Sequence, residues 1–337
     1  MQIVKYWVAD ISYFGCMRIQ ETFVKHLKKT WTSKASLADS LSVLLGISKD
    51  SVYRRLRNET PFSIEEAMMI CDTYKVDLTQ FFEFKYQTIP FRFTPLHSGD
   101  RNLLKYLDSI YELLSQAHQA NVHVTFAAED IPVFHHFADP LLAGFKLFYW
   151  QKAVLNDESL LAHKFNPEII NPDMIQRANE IITLYNQLDS TEIWTEDSIH
   201  STLSQIMYFS ESGQFEDSSL AFELLDATQQ MLESIKQQAE MSSKLKNETK
   251  NFSLYNSEVR IGNNSIYMEA ELGDRVFISH NTFNSISTDN INFCKETKSW
   301  MENLIRKSTK INDVSEKHRY QFFRLMYEKI ENVRQRI

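Results

Sequence analysis

At 337 residues the chain is longer than one typical domain, so two or three are expected. Its composition, 43% hydrophobic and 24% charged, is ordinary for a globular protein and excludes disorder over most of its length. Seven glycines and seven prolines are too few for an all-β architecture full of turns, and three dispersed cysteines (Cys16, Cys71, Cys294) argue against a disulfide framework or a cysteine-rich zinc site and fit a reducing cytoplasm.

The first stretch, "MQIVKYWVADISYFGC", carries an early lysine and an internal aspartate, Asp10, and so lacks the unbroken apolar core of a secretory signal. Met17 is an alternative start, and residues 1–19 are read as an N-terminal extension. "QETFVKHLKK" (20–29) puts Phe23, Val24 and Leu27 on one helical face. "SLADSLSVLLG" (36–46) runs from a serine cap to a terminating glycine, and "SKDSVYRRLR" (48–57) opens at a second serine. "ETPFSIEEAMMICDTYK" (59–75) contains Ser63 and Glu66 at capping-box spacing, and "VDLTQFFEF" (76–84) is read as a fifth short helix. Five helices in 65 residues with short connections predict a compact helical domain over 20–84. "KYQTIPFRFTPLHSGD" (85–100) has two prolines and no helical period, which marks an extended linker with room for one strand.

Beyond the linker, Leu103, Leu107, Ile110 and Leu114 recur at heptad-like spacing, as either a dimer seam or a core helix. "NVHVTFAA" (121–128) alternates like a strand. Helices are expected over 140–155, 172–188, 197–210 and 217–245, the last with a stripe of Leu220, Leu224, Met231, Leu232 and Ile235. From residue 251 short alternating segments broken by Gly-Asn-Asn and Gly-Asp predict hairpins, followed by helices at about 289–307 and 314–333. No internal repeat of fixed period occurs, and no apolar run approaches the ~18 residues of a membrane span. The expected fold class is mainly α: the five-helix N-terminal domain, then a larger, mostly helical region with a small antiparallel β element. The expected divisions of that region are 101–250, for dimerisation and candidate sensing, and 251–337, for hairpins and two helices.

The strongest functional signal is "LLGISKDSVYRRLR". Two helices joined by a tight glycine turn, the second opening on a polar cap, make the pattern of a helix-turn-helix. Leu41, Leu45, Ile47, Val52 and Leu56 would fix the angle between the helices, leaving Lys49, Ser51, Tyr53, Arg54, Arg55 and Arg57 outward for the major groove. Arginine suits that place because its planar fork grips guanine O6 and N7 together, or phosphate oxygens. Between Lys25 and Thr60 eight basic residues face three acidic ones, a local charge of +5 in a chain whose net charge is −8. A basic module on an acidic body suits a protein that binds double-stranded DNA with one part only.

With "PFSIEEAMMICDTYKVDLTQFF" following it, this stretch resembles the Cro and phage-repressor type of helix-turn-helix domain, over residues 20–84 alone. The resemblance implies a third helix docked in the major groove, usually in a homodimer on a near-palindromic site. By position Lys49, Ser51 and Arg54 match base-edge contacts, Tyr53, Arg55 and Arg57 match flanking and phosphate contacts, and Lys34 and Ser36 match backbone contacts at the start of the second helix. Two departures stand out. Arg55 occupies a place where the family keeps a bulky apolar residue, and Asp50 lies among the contact positions.

Elsewhere the residues point to structure before chemistry. His135 and His136 are adjacent and so aim to different sides, an awkward geometry for a shared metal ion. "FKLFYWQK" (145–152) with the nearby aromatics offers either core or a ligand pocket, for which Phe134, Phe137, Phe145, Tyr149 and Trp150 are the candidates. Glu129-Asp130 and Glu196-Asp197 read as helix-start chemistry, and the basic residues Arg306, Lys307, Lys310, Lys317, Arg319 and Arg324 as a solvated face. No nucleotide-loop, hydrolase or zinc-protease motif occurs, so neither an enzyme nor a cofactor is expected.

The expected function is therefore a cytoplasmic, sequence-specific, DNA-binding transcription regulator, dimeric and without membrane contact, with a small-molecule or peptide effector as a candidate input. A second class remains open, a scaffold or antitoxin-like partner binder on a repressor-like fold. Receptors for secreted peptides carry tandem helical hairpins of fixed length, a period this chain does not show.

Overall fold

A computed structural model describes residues 13–31, 33, 35–76, 78–81, 89–245, 251–271 and 273–337. The chain divides between Pro90 and Phe91 into two compact units.

In the first unit the helices are α1 (Tyr13–Thr30), α2 (Leu37–Leu45), α3 (Lys49–Leu56) and α4 (Ile64–Tyr74), then one 3-10 turn, Leu78–Phe81. Local chemistry sets the boundaries. Ser36 Oγ accepts from Asp39 N at 3.1 Å and Ser48 Oγ from Ser51 N at 3.2 Å, each holding one orphan donor of a helix start. Ser63 and Glu66 form a complete capping box. Gly46 ends α2 in the left-handed region at φ 64°, where a Cβ would be strained. Phe23, Val24, Leu27, Leu41, Val52, Leu56, Ile70 and Phe81 are buried together, with Leu45 and Ile47 partly buried against them. α1 is tied to the end of α3 by Gln20, whose amide donates to Arg55 O and Thr60 O and accepts from Phe62 N. The fifth helix expected over 76–84 is a single 3-10 turn within the described residues, because Lys75 turns left-handed at φ 55° and ends α4 close to it. Residues 1–12 of the expected extension lie outside the described residues; α1 already starts at Tyr13 and runs through Met17.

The second unit overturns the expected fold class. It holds an eight-stranded mixed sheet, so the chain is α/β, not mainly α with a small antiparallel element. The strands are β1 (Arg92–Phe93), β2 (His123–Ala127), β3 (Ser190–Trp194), β4 (Phe252–Asn256), β5 (Ser265–Glu269), β6 (Arg275–His280), β7 (Asn284–Thr288) and β8 (Thr309–Lys310), in the order β1-β7-β6-β5-β2-β3-β4-β8. β2, β3 and β4 are parallel, in register through Val124↔Ser190 and Ile193↔Tyr255, and the remaining neighbours are antiparallel. Segments on both sides of residue 250 thus share one sheet. Parallel neighbours need long crossovers. α6 (Val133–His136), α7 (Pro140–Tyr149) and α8 (Pro172–Gln187) lead from β2 to β3, and α9 (His200–Glu211) and α10 (Ser219–Met241) lead from β3 to β4. α5 (Asp100–Gln119), α11 (Ile291–Arg306) and α12 (Glu316–Arg334) complete the unit.

Strand alternation sorts the side chains into two cores. Val124, Phe126, Trp194, Phe252, Leu254 and Met268 join the large core with α5, α7–α10 and α12. Ala127, Ile193, Tyr267 and Val276 join a smaller one with Cys294, Met301 and Leu304 of α11. The heptad-spaced Leu103, Leu107 and Leu114 are buried in the large core, which settles α5 as a core helix. The Gly-Asp signal does join a hairpin, β5–β6, but Gly-Asn-Asn does not, because β4 and β5 are not neighbours. The other hairpin, β6–β7, turns at Asn281 and Thr282, both left-handed. Arg319 is buried instead of solvated, and its guanidinium donates to Ile311 O and Asp313 O. No described helix is long and apolar enough to cross a membrane.

Candidate DNA-reading helix and interior cavity

On α3 the caps and the buried pair Val52 and Leu56 fix which residues face outward. Lys49, Tyr53, Arg54 and Arg57 are exposed. Each cation has a carboxylate within reach: Lys49–Asp39 at 2.5 Å, Arg54–Asp50 at 3.3 Å and Arg57–Glu59 at 2.7 Å. The Lys49 hydrogen bond holds Asp39 below its usual pKa, and Asp39 in turn raises Lys49. Exposed pairs of this kind are worth little in water, so a phosphate can replace the carboxylate. Ser51 is half-buried, its hydroxyl 2.9 Å from that of Ser48. Ser36 is an exposed helix cap, and Lys34 lies outside the described residues.

Arg55 has a different environment. Its side chain is only 18% exposed, and Nε and Nη2 donate to the two oxygens of Glu66, both at 2.8 Å. Nη1 donates to Ser51 O, and Glu66 also accepts from Ser63 N. Burial works against the Glu66 charge, yet the bonds from Arg55 and Ser63 hold its pKa below the ordinary value. A two-pronged ion pair thus joins α3 to α4. Arg55 is held in the fold by this pair.

The second unit contains a cavity of about 400 Å³. Its walls are apolar: Ile110, Phe126, Phe134, Trp150, Ile266 and Phe277 are among the lining residues, with exposed Arg92, Thr94, Ser109 and Thr282 at its rim. Trp150 stacks on Phe283, centroids 4.3 Å apart and planes within 10°. Of the five aromatic candidates, Phe134 and Trp150 line this cavity. Phe145 is packed among Phe165, Phe209 and Phe215, Phe137 is buried against the Trp150 ring, and Tyr149 lies beside Phe209.

Two charged residues of the lining, Lys146 and Asp130, lie outside the sequence candidates, Asp130 having only a helix-start reading and Lys146 none. Lys146 is 6% exposed; its ammonium donates to Thr202 Oγ1 at 3.0 Å and Gln205 Oε1 at 2.8 Å. Burial lowers its pKa to about 8, against the pull of Asp130. Asp130, three residues past β2, is raised by burial, while Lys146, a hydrogen bond from Ser201 and His200 draw it back. Its backbone N–H donates to Asn264 Oδ1 at 3.1 Å. His136 contacts Thr202 Oγ1 at 2.9 Å; burial, Lys146 and His135 drive its pKa well below the usual value and leave it neutral. A lysine inside the apolar run "LLAGFKLFYW" was the available signal, since a buried charge needs partners.

A second buried polar cluster is closed. Glu192, fully buried on β3, is met by His135 Nε2 at 3.0 and 3.1 Å, and accepts from Tyr185 OH at 2.7 Å and Trp194 Nε1 at 2.9 Å. Lys244 donates to Tyr185 O and Ser190 Oγ and lies 4.1 Å from the Tyr185 ring centroid. Adjacent His135 and His136 therefore serve two different clusters. No family model, curated protein or solved structure matches the chain.

Proposed function

We propose that the protein is a sequence-specific DNA-binding transcription regulator acting in the cytoplasm, in which the first unit reads duplex DNA and the second serves dimerisation and signal sensing. The observation that carries this reading is the pair of serine-capped helices joined through left-handed Gly46, with Lys49, Tyr53, Arg54 and Arg57 exposed on the second. Gly46 and the buried Leu41, Val52 and Leu56 set the helix angle, and a groove-reading helix needs that angle held. One such helix covers only a half-site, so a homodimer supplies the second. Ile64 and Met68, four apart on α4 and both exposed, offer an apolar strip for pairing.

The test is selection from random duplex DNA at low and near-physiological salt, followed by sequencing of the bound fraction. An enriched near-palindrome with half-sites about one helical turn apart is expected. Binding that vanishes with salt and enriches no sequence refutes the reading. The same exposed apolar residues, with Val43 at 85% exposure, favour a second reading, a protein-binding module on this fold. That reading predicts a stoichiometric protein complex lost in Ile64→Asp, with no DNA enrichment.

A further inference from the structure

The cavity of the second unit joins three features that structural packing alone leaves unexplained. Lys146 is buried yet makes no ion pair among the described residues, its two hydrogen-bond partners being a neutral hydroxyl and a neutral amide. A buried cation without a contacting anion is costly, and this ammonium keeps a third N–H unassigned. Asp130 lines the same cavity and also makes no ion pair, although each charge is close enough to shift the other's titration. The remaining wall combines aromatic and aliphatic side chains with neutral polar ones such as Gln205 and Asn264, and Arg92, paired with Asp289, lies at the rim. Asp130 also follows the carboxyl end of β2, one of the two outer strands of the parallel trio, where the next neighbour, β5, runs antiparallel. Ligands of open α/β sheets gather outside the carboxyl ends of strands, where the order reverses.

From this placement we infer that the cavity is a binding site for a free α-amino acid with an apolar or aromatic side chain, its carboxylate on Lys146, its ammonium on Asp130, and its side chain against Phe134, Trp150 and Phe277. The head group must accept at one position and donate at the other, and carry no net charge beside a lysine–aspartate pair. An apolar carboxylate would leave Asp130 unanswered, and an apolar amine would leave Lys146 so. A peptide terminus carries only one of the two charges on its terminal carbon. The volume sits at the lower end of the ~300–1,000 Å³ of small-molecule sites, which suits a ligand of amino-acid size. Gln205 and Ser201, beside the two charges, supply further polar contacts. The site belongs to the second unit alone, so it stands or falls independently of DNA binding.

The test is calorimetric titration of the full chain, with tryptophan fluorescence as a second readout because Trp150 lies in the wall. L-phenylalanine and L-leucine are compared with 3-phenylpropionate, which lacks the ammonium, and with L-phenylalaninamide, which lacks the carboxylate and mimics a peptide's first residue. Saturable binding of at least one amino acid is expected, each one-headed analogue about 10-fold or more weaker because it leaves buried Lys146 or half-buried Asp130 without an opposite charge. Asp130→Asn preserves volume and should weaken the amino acid by the same factor while leaving 3-phenylpropionate unchanged. Lys146→Met should do the converse: weaken 3-phenylpropionate and leave phenylalaninamide unchanged. Equal affinity for amino acid and one-headed analogue overturns the inference, as does unchanged amino-acid binding in a folded Asp130→Asn. Absence of any saturable signal with both amino acids overturns it too.

Discussion

In the unit that ends at Pro90, three cations of the α3 region sit on the outside: Lys49, Arg54 and Arg57 pair with carboxylates that are 46–74% exposed. In the unit that begins at Phe91, Glu192, Lys146 and Lys244 are buried, and Glu192 is bonded on every side. Water competes for the first set, so those partners can be exchanged for a polyanion. No water competes for Glu192 and Lys244, so their partners are part of the fold. The sharpest way to break this contrast is Glu192→Ala. It leaves the Tyr185 hydroxyl, the Trp194 indole N–H and His135 without their acceptor, and a loss of about 3–5 kcal/mol is expected in denaturant unfolding. A loss under ~1 kcal/mol would show that these groups find other partners and that the cluster is not fixed.

The next effect is a pH dependence of the same sign in two windows, one on each side of neutrality. Burial opposes the charge on Glu192, but His135, the Tyr185 hydrogen bond and Lys244 hold its pKa below normal. Its contribution is present above the ordinary carboxylate pKa and is lost as pH falls through the folded value. Lys244 acts in the same direction at higher pH: burial lowers it to about 7 despite Glu192 and Asp189. Between that value and its unfolded pKa the unfolded chain binds the extra proton, so stability rises with pH. From pH 7.5 to 9.5 the second unit should gain about 2 kcal/mol through this group, and Lys146 adds a change of the same sign. Lys244→Met should flatten most of the rise in denaturant midpoints measured across that range. A wild-type profile already flat there would mean that Lys244 titrates normally.

How much of this was legible in the sequence differs between the units for the same physical reason. Gly46, Ser48, Ser63 and Glu66 act within three or four residues, so the helix boundaries of the first unit can be read locally. β3 could not. Its pattern, Ser-Thr-Glu-Ile-Trp, has Glu192 at a core-facing position, which breaks the alternation that marks a strand. The partners that make it a strand lie 66 residues away at Val124 and 62 away at Phe252. The cavity shows the same limit. "FKLFYWQK" drew attention to Phe134 and Trp150, but the rest of the lining, from Arg92 to Ser287, is assembled by the sheet. Arg55 could be suspected only as a departure; Glu66, already assigned to a cap, gave no sign of being its partner.

Arg54 and Arg55 bring the comparison inside one helix. Arg54→Ala should weaken specific binding by about 1–3 kcal/mol and relax preference at one base pair, with stability nearly unchanged. Equal losses on every sequence would move it to the phosphate contacts. Arg55→Ala should instead lower the unfolding free energy of the first unit by about 1–2 kcal/mol, through the lost Glu66 bonds, and leave base preference intact. Altered base preference in a folded Arg55→Ala protein would place the guanidinium in the groove and the Glu66 pair only in the unbound state.

The smallest effect tests the exposed end of the contrast. Ser48→Ala removes the acceptor for Ser51 N and the hydroxyl partner of Ser51. Caps of this kind cost about 1 kcal/mol when lost. Because Ser48 is exposed, water can take over the Ser51 N–H, which sets the cost well below that of Glu192→Ala. Ser48→Asp keeps an acceptor and places a negative charge at the start of α3, which its helix dipole favours. Denaturant unfolding should therefore rank wild type and Ser48→Asp together, with Ser48→Ala about 1 kcal/mol below. On DNA the order should split, because the same aspartate lies beside the exposed cations of α3 and repels phosphate. If Ser48→Asp binds DNA as well as wild type at low salt, the start of α3 does not approach the backbone, and the base-edge role drawn for Lys49 falls with it.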